Sequence, residues 1–174
     1  MRRFSLSLLC ALSAMTSVSL PVSAQQAAET DGMAAAEVLS PSRVSHVRDL
    51  RFGAFGAPAT ASTITVGTNG AINATGDVAN TMNVPQPSQG RGPAAFNIEQ
   101  DGRLFFIVNY PRQVDITSGS ASMRVSNTTG RLVRTNPSGF NSRYRFDMGG
   151  RLNVGANQPT GNYSGDFVIT VLYF

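Results

Sequence analysis

The chain has 174 residues, of which 41% are hydrophobic and only 14% charged, with 17 glycines, 9 prolines and no tryptophan. Its formal charge is +4, and lysine does not occur, so every basic side chain is an arginine. That length suits one domain and excludes a large multidomain enzyme. Low charge, with abundant Gly, Ser, Thr and Asn between short Val-, Ile-, Phe- and Tyr-rich runs, excludes coiled coil and helical repeat and points to an all-β domain.

Arg2 and Arg3 precede an apolar run from Phe4 to Leu20, and Val22-Ser23-Ala24 supplies the small-x-small pattern of a signal-peptidase site. Residues 1–24 are therefore expected to be a signal peptide cut between Ala24 and Gln25. The run is diluted by Ser5, Ser7, Ser13, Thr16, Ser17 and Ser19, which leaves it short of the about 20 predominantly apolar residues of a retained anchor. Cys10, the single cysteine, lies inside the run behind Leu9, where a lipoprotein signal needs a small residue, and is expected to leave with the signal. The expected address is the periplasm, cell surface or extracellular space, with no membrane span after processing. A processed chain without cysteine holds itself by packing, with no disulfides.

Residues 25–43 are Ala-rich and polar and read as a flexible N-terminal arm ahead of a single domain at 44–174. Val44 to Gly56 suggests a first strand and a bend. Ser62 to Val66 is a β-branched run followed by Asn69-Gly70 and a second run through Ile72, which predicts a hairpin with a two-residue turn. Residues 79–93, with three prolines and no periodicity, predict a long surface loop. Ala94–Gln100 and Leu104–Tyr110 flank Asp101-Gly102, the strongest hairpin signal in the chain, and Pro111 is expected to end the second of these strands.

Three short strands follow in expectation, at Val114–Ile116, Ser122–Ser126 and Arg131–Arg134, with a loop at 135–142. Tyr144–Met148 and Leu152–Val154 bracket Gly149-Gly150, read as turn glycines. A last strand runs from Tyr163 to Phe174. Seven to nine strands without a long amphipathic helix predict an antiparallel, immunoglobulin-like β-sandwich. In the last strand Phe167, Ile169, Val171 and Tyr173 alternate with Val168, Leu172 and Phe174, so both faces are apolar. Either a loop covers the outer face of a central strand, or this strand, with Phe167, Ile169, Val171 and Tyr173, is a site of assembly with another subunit.

Reactive chemistry is hard to assemble from these residues. His46, the only histidine, stands near Asp49, but no Gly-x-Ser-x-Gly elbow accompanies it, so no catalytic residue is expected. Zinc would need further His or Cys ligands, calcium a cluster of acids, and a phosphate loop a lysine, so no metal and no cofactor is expected. Arg124, Arg131, Arg134, Arg143, Arg145 and Arg151 share their stretch with a single acid, Asp147. They are expected to be a solvated face; as an alternative, Arg131, Arg134, Arg143 and Arg145 form an anion-binding face for an anionic glycan or lipid headgroup. Nucleic acid is not an expected partner, since no base-stacking aromatics are interleaved with the arginines.

LRFGAFG at Leu50–Gly56, the run Leu104–Pro111, Met123-Arg124-Val125 and above all GGRLNVGANQPTGNYSGDFVITVLYF at the end resemble the bacterial family called domain of unknown function 4402. More distantly, the Leu-x-Phe-Gly start and the Tyr-Ser-Gly-Asp-Phe-Val-Ile-Thr-Val ending look like spore coat U proteins and archaic chaperone-usher pilins. The resemblance implies a secreted β-sandwich without assigned chemistry. In the pilin relatives a neighbour's extended N-terminal arm completes the sandwich, and residues 25–43 stand where that arm would be. Met33, Ala35, Glu37 and Leu39 alternate only weakly for such a role, and the relatives' cysteines are missing. The expected function is an exported, non-enzymatic surface or fimbria-like subunit that associates with itself or with another surface subunit through strand edges. The alternative is a monomeric module binding an anionic glycan.

Overall fold

The computed structural model describes residues 42–101, 104–136 and 141–174. The expected signal peptide, its cleavage point and the arm up to residue 41 lie outside the described residues. Arg43, assigned from sequence to the arm, instead opens the first strand. The elements in order are β1 (Arg43–Arg48), β2 (Ser62–Val66), β3 (Ile72–Thr75), a short helix α1 (Asp77–Asn80), β4 (Ala94–Asp101), β5 (Phe106–Asn109), β6 (Val114–Ser118), β7 (Ala121–Asn136), β8 (Asn141–Val154) and β9 (Thr170–Tyr173). Every strand pairing is antiparallel. One sheet has seven strands, in the order β1-β4-β8-β2-β3 with β7 along β8 and β6 beyond β7; β5 and β9 form a second sheet. The fold is an antiparallel β-sandwich.

β8 organises it. Phe146, Met148, Leu152 and Val154 recur at every second or fourth position and are buried, while Arg143, Arg151 and Asn153, at positions of the opposite parity, are exposed. One edge of β8 pairs first with β4 and then with β2, and the other edge pairs with β7. Gly149 and Gly150 therefore lie inside a strand, where the sequence predicted a turn. A Cβ on Gly149 would overlap the Val66 carbonyl oxygen, and one on Gly150 would sit 2.9 Å from a Val125 methyl. These glycines let neighbouring strands approach.

The two strands expected at Ser122–Ser126 and Arg131–Arg134 are likewise one strand, interrupted by a register shift between Ser126 and Thr129 where Asn127 takes φ 49°. That bulge is anchored by the Thr128 hydroxyl, which donates to the Pro111 carbonyl at 2.6 Å. The hairpin expected between β4 and β5 does not form. β4 has β1 on one edge and β8 on the other, and its register with β8 places Phe96 beside Phe146 and Ile98 beside Tyr144. β5 crosses to the second sheet, where Phe106, Val108 and Tyr110 cover those side chains. A local turn signal lost to a pairing that buries more apolar surface.

Smaller corrections follow the same logic. The β2–β3 turn spans three residues, Thr68–Gly70, closed by the Gly67 N–H on the Ala71 carbonyl at 2.8 Å, and only Gly70 needs positive φ, at 86°. Residues expected as loop from 79 begin inside α1. The stretch from there to 93 is tied down by Arg91, whose guanidinium donates to the carbonyls of Phe52, Ala54 and Met82 at 3.0, 2.6 and 3.2 Å. The last strand is short: Ser164 makes an isolated bridge with Thr117, and regular pairing is confined to β9.

Two apolar clusters line the inner face of the large sheet. The first gathers Phe52, Ile64, Val66, Val78, Val114, Met123, Val125, Leu152 and Val154. The second gathers Ala94, Phe96, Ile98, Phe146 and Met148 beneath the β5–β9 sheet.

Candidate functional site

The C-terminal strand has two different faces. Phe167, Ile169 and Val171 pack on the second cluster, and the Phe167 ring meets Phe96 edge-on at 6.2 Å. Tyr173 also points inward, its ring 6.0 Å from that of Phe106. Burial pushes the Tyr173 hydroxyl above its ordinary value of 10.0, opposed by the Ser42 side chain nearby, yet the buried oxygen has no partner in hydrogen-bond geometry. Thus the four residues marked from sequence for assembly are placed on the inner face, where the covering is intramolecular.

The other face is bare. Phe105 is 82% exposed, Ile107 59%, Val168 77%, Leu172 48% and Phe174 67%. Cross-strand register pairs Ile107 with Leu172, and the backbones of Phe105 and Phe174 exchange hydrogen bonds at 3.2 and 2.8 Å. The outer surface of the small sheet is therefore an aromatic row beside an aliphatic row, with Asn109 and Thr170 at the next position. Chain order hides this, because 60 residues separate the end of β5 from the start of β9. Larger apolar patches on soluble proteins mark contact sites.

The arginines do not form one surface. Arg131 stands opposite Asp147 and Val133 opposite Arg145, on the outer face of the large sheet, whereas Arg134 stands opposite Tyr144 on the inner face. Arg134 donates to the Ser142 hydroxyl at 2.7 Å and lies 5.9 Å above the Tyr144 ring. Arg143 meets Glu99 at 3.1 Å, Arg145 meets Asp147 at 2.9 Å, and Arg48 reaches the same carboxylate at 3.8 Å. Arg124 forks onto Asp115 at 2.7 and 3.1 Å, which holds the Asp115 carboxyl below its ordinary 3.8 and raises the arginine. The acids absent from the arginine stretch arrive from other strands.

A groove of about 840 Å³ opens over the first cluster. Val114, Ile116, Met123, Val125 and Leu152 line it from the sheet, with residues 49–55 and 158–167 also around it. At its edge His46 Nε2 lies 2.9 Å from Asp49 Oδ1, with both side chains exposed, and the imidazole meets Phe96 at 5.5 Å. Ser164 and Thr160 also line the groove, but the hydrogen bond that Ser164 contributes to the fold is its backbone bridge to Thr117. Among the described residues no three His, Cys, Asp or Glu side chains gather as a metal site, and no helix is long and apolar enough to cross a membrane.

A family model described as Domain of unknown function (DUF4402) matches residues 43–173, which is the whole sandwich. The chain belongs to that family. No curated protein and no solved structure matches it. Within this DUF4402 domain, Phe105 and Ile107 on β5 and Val168, Leu172 and Phe174 on the opposite parity of the last strand are the contact candidates that sequence reasoning did not name. The signal was present: Leu104 to Val108 is continuously apolar, so β5, like β9, carries apolar side chains on both faces. Two such strands pair and pool their outward residues.

Proposed function

We propose that this DUF4402 chain is an exported, non-enzymatic structural subunit of the cell surface, a fimbria-like building block that works by contact with other protein subunits. One observation carries the reading: the uncovered outer face of the β5–β9 sheet, with Phe105, Ile107, Val168, Leu172 and Phe174 exposed. Water-facing rows of this kind favour association, because apolar burial contributes about 25 cal/mol per Å². The signal-like residues 1–24 support export. An anion-binding role for Arg131, Arg134, Arg143 and Arg145 has less support, since they divide between two faces and Arg143 and Arg145 are paired with carboxylates.

Cell fractionation followed by native size measurement tests the reading. The protein is expected outside the cytoplasm in particles larger than a monomer. A monomer retained in the cytoplasm would overturn it.

A further inference from the structure

The outer face of the β5–β9 sheet also indicates what covers it. We infer that the partner is a second copy of this chain, docked face to face through Phe105, Ile107, Val168, Leu172 and Phe174 about a two-fold axis. This rests on the structural-subunit reading and names its partner.

Area is the first argument. At the roughly 150–250 Å² an aromatic side chain presents, and less for aliphatic ones, the exposed fractions amount to about 600 Å² per copy, so full coverage of these residues in two copies would bury about 1,200 Å². That reaches the lower bound of a specific interface from these five residues alone. Charge is the second. The outward positions of β5 and β9 are Ile107, Asn109, Thr170 and Leu172, flanked by Phe105, Phe174 and Val168, and none has a charged side chain. These side chains therefore meet their own copies without like-charge repulsion among themselves, the usual obstacle to a surface binding its own copy.

Composition is the third. β5 contributes Phe105 and Ile107 and β9 contributes Phe174 and Leu172 directly opposite them, so an axis between two copies running along the strands lays aromatic row on aromatic row and aliphatic row on aliphatic row. An isologous contact demands such self-complementarity. Stacking two of these sheets about 10 Å apart makes a four-stranded sandwich in which each copy covers the other.

The test uses the protein purified as its host processes it, with sedimentation across a concentration series. A dimer is expected that Leu172→Glu weakens by about tenfold or more, with the melting temperature of the monomer unchanged. Phe105→Ser is expected to act in the same direction, which guards against one variant that folds poorly. A self-association indifferent to both substitutions would overturn this contact and leave the structural-subunit reading standing through another surface. A monomer at every concentration would overturn both. Patch-dependent binding of phosphatidylcholine–phosphatidylglycerol vesicles by a monomer would assign the face to lipid and also overturn the inference.

Discussion

Individual residues carry this fold in ways that residue type alone does not announce. Gly149 is the sharpest case, since a Cβ there meets backbone, the Val66 carbonyl oxygen, which cannot turn aside as a side chain does. Gly149→Ala is expected to cost about 2–4 kcal/mol in chemical denaturation. Gly70→Ala has open space around it and only positive φ to resist, and is expected to cost about 1 kcal/mol. Arg91 acts by hydrogen bonding: Arg91→Ala strips a donor from three carbonyls and is expected to destabilise by about 1–3 kcal/mol, with partial recovery in Arg91→Lys. Two carboxylates give the pH dependence. Asp77 accepts the Thr60 hydroxyl at 2.9 Å and its backbone N–H at 2.8 Å, which holds it below the ordinary 3.8, and Asp115 is held below by Arg124. Depressed folded-state values mean that this stabilisation is complete above the ordinary aspartate value and is lost as pH falls through the folded ones. Melting temperature is expected to drop on acidification below about pH 4, and less steeply in Asp77→Asn/Asp115→Asn.

At the scale of elements, strand parity decides what a substitution does. Val171 and Leu172 are neighbours of similar chemistry, yet Val171 packs on the second cluster while Leu172 faces outward. In the monomer, Val171→Asp is expected to destabilise by about 3 kcal/mol or more, since it puts a carboxylate against the second apolar cluster, whereas Leu172→Thr is expected to stay within about 0.5 kcal/mol. Paired thermal unfolding curves check the contrast, and equal effects would refute the assignment of faces. Parity was legible in the sequence, where Phe167, Ile169, Val171 and Tyr173 already alternate with Val168, Leu172 and Phe174. Which of the two faces met the core was not, because both are apolar and alternation supplies no sign. The β7 and β8 strands were legible only as fragments: Asn127 and Gly149-Gly150 look like turns locally, while the pairing of β8 with three neighbours carries the chain through them.

For the whole molecule, the driving force of assembly distinguishes apolar docking from charge recognition. Sulfate salts strengthen apolar burial and screen ion pairs, so self-association is expected to tighten as ammonium sulfate is raised. Sedimentation at several salt concentrations checks this, and dissociation at high sulfate would point to the arginines instead. Composition and periodicity by themselves determined the all-β class and most strand positions, because these depend on side-chain alternation and local turn chemistry, while the family was legible in the motifs at Leu50–Gly56 and along the C-terminal segment. Tertiary structure alone decided the pairing of β5 with β9, the division of the arginines between two faces, and their partners Asp115 and Glu99. Those outcomes are competitions between distant segments for the same edge, face or charge. They are settled by the total area buried and the charges neutralised when all strands are in place, a sum that no local window contains.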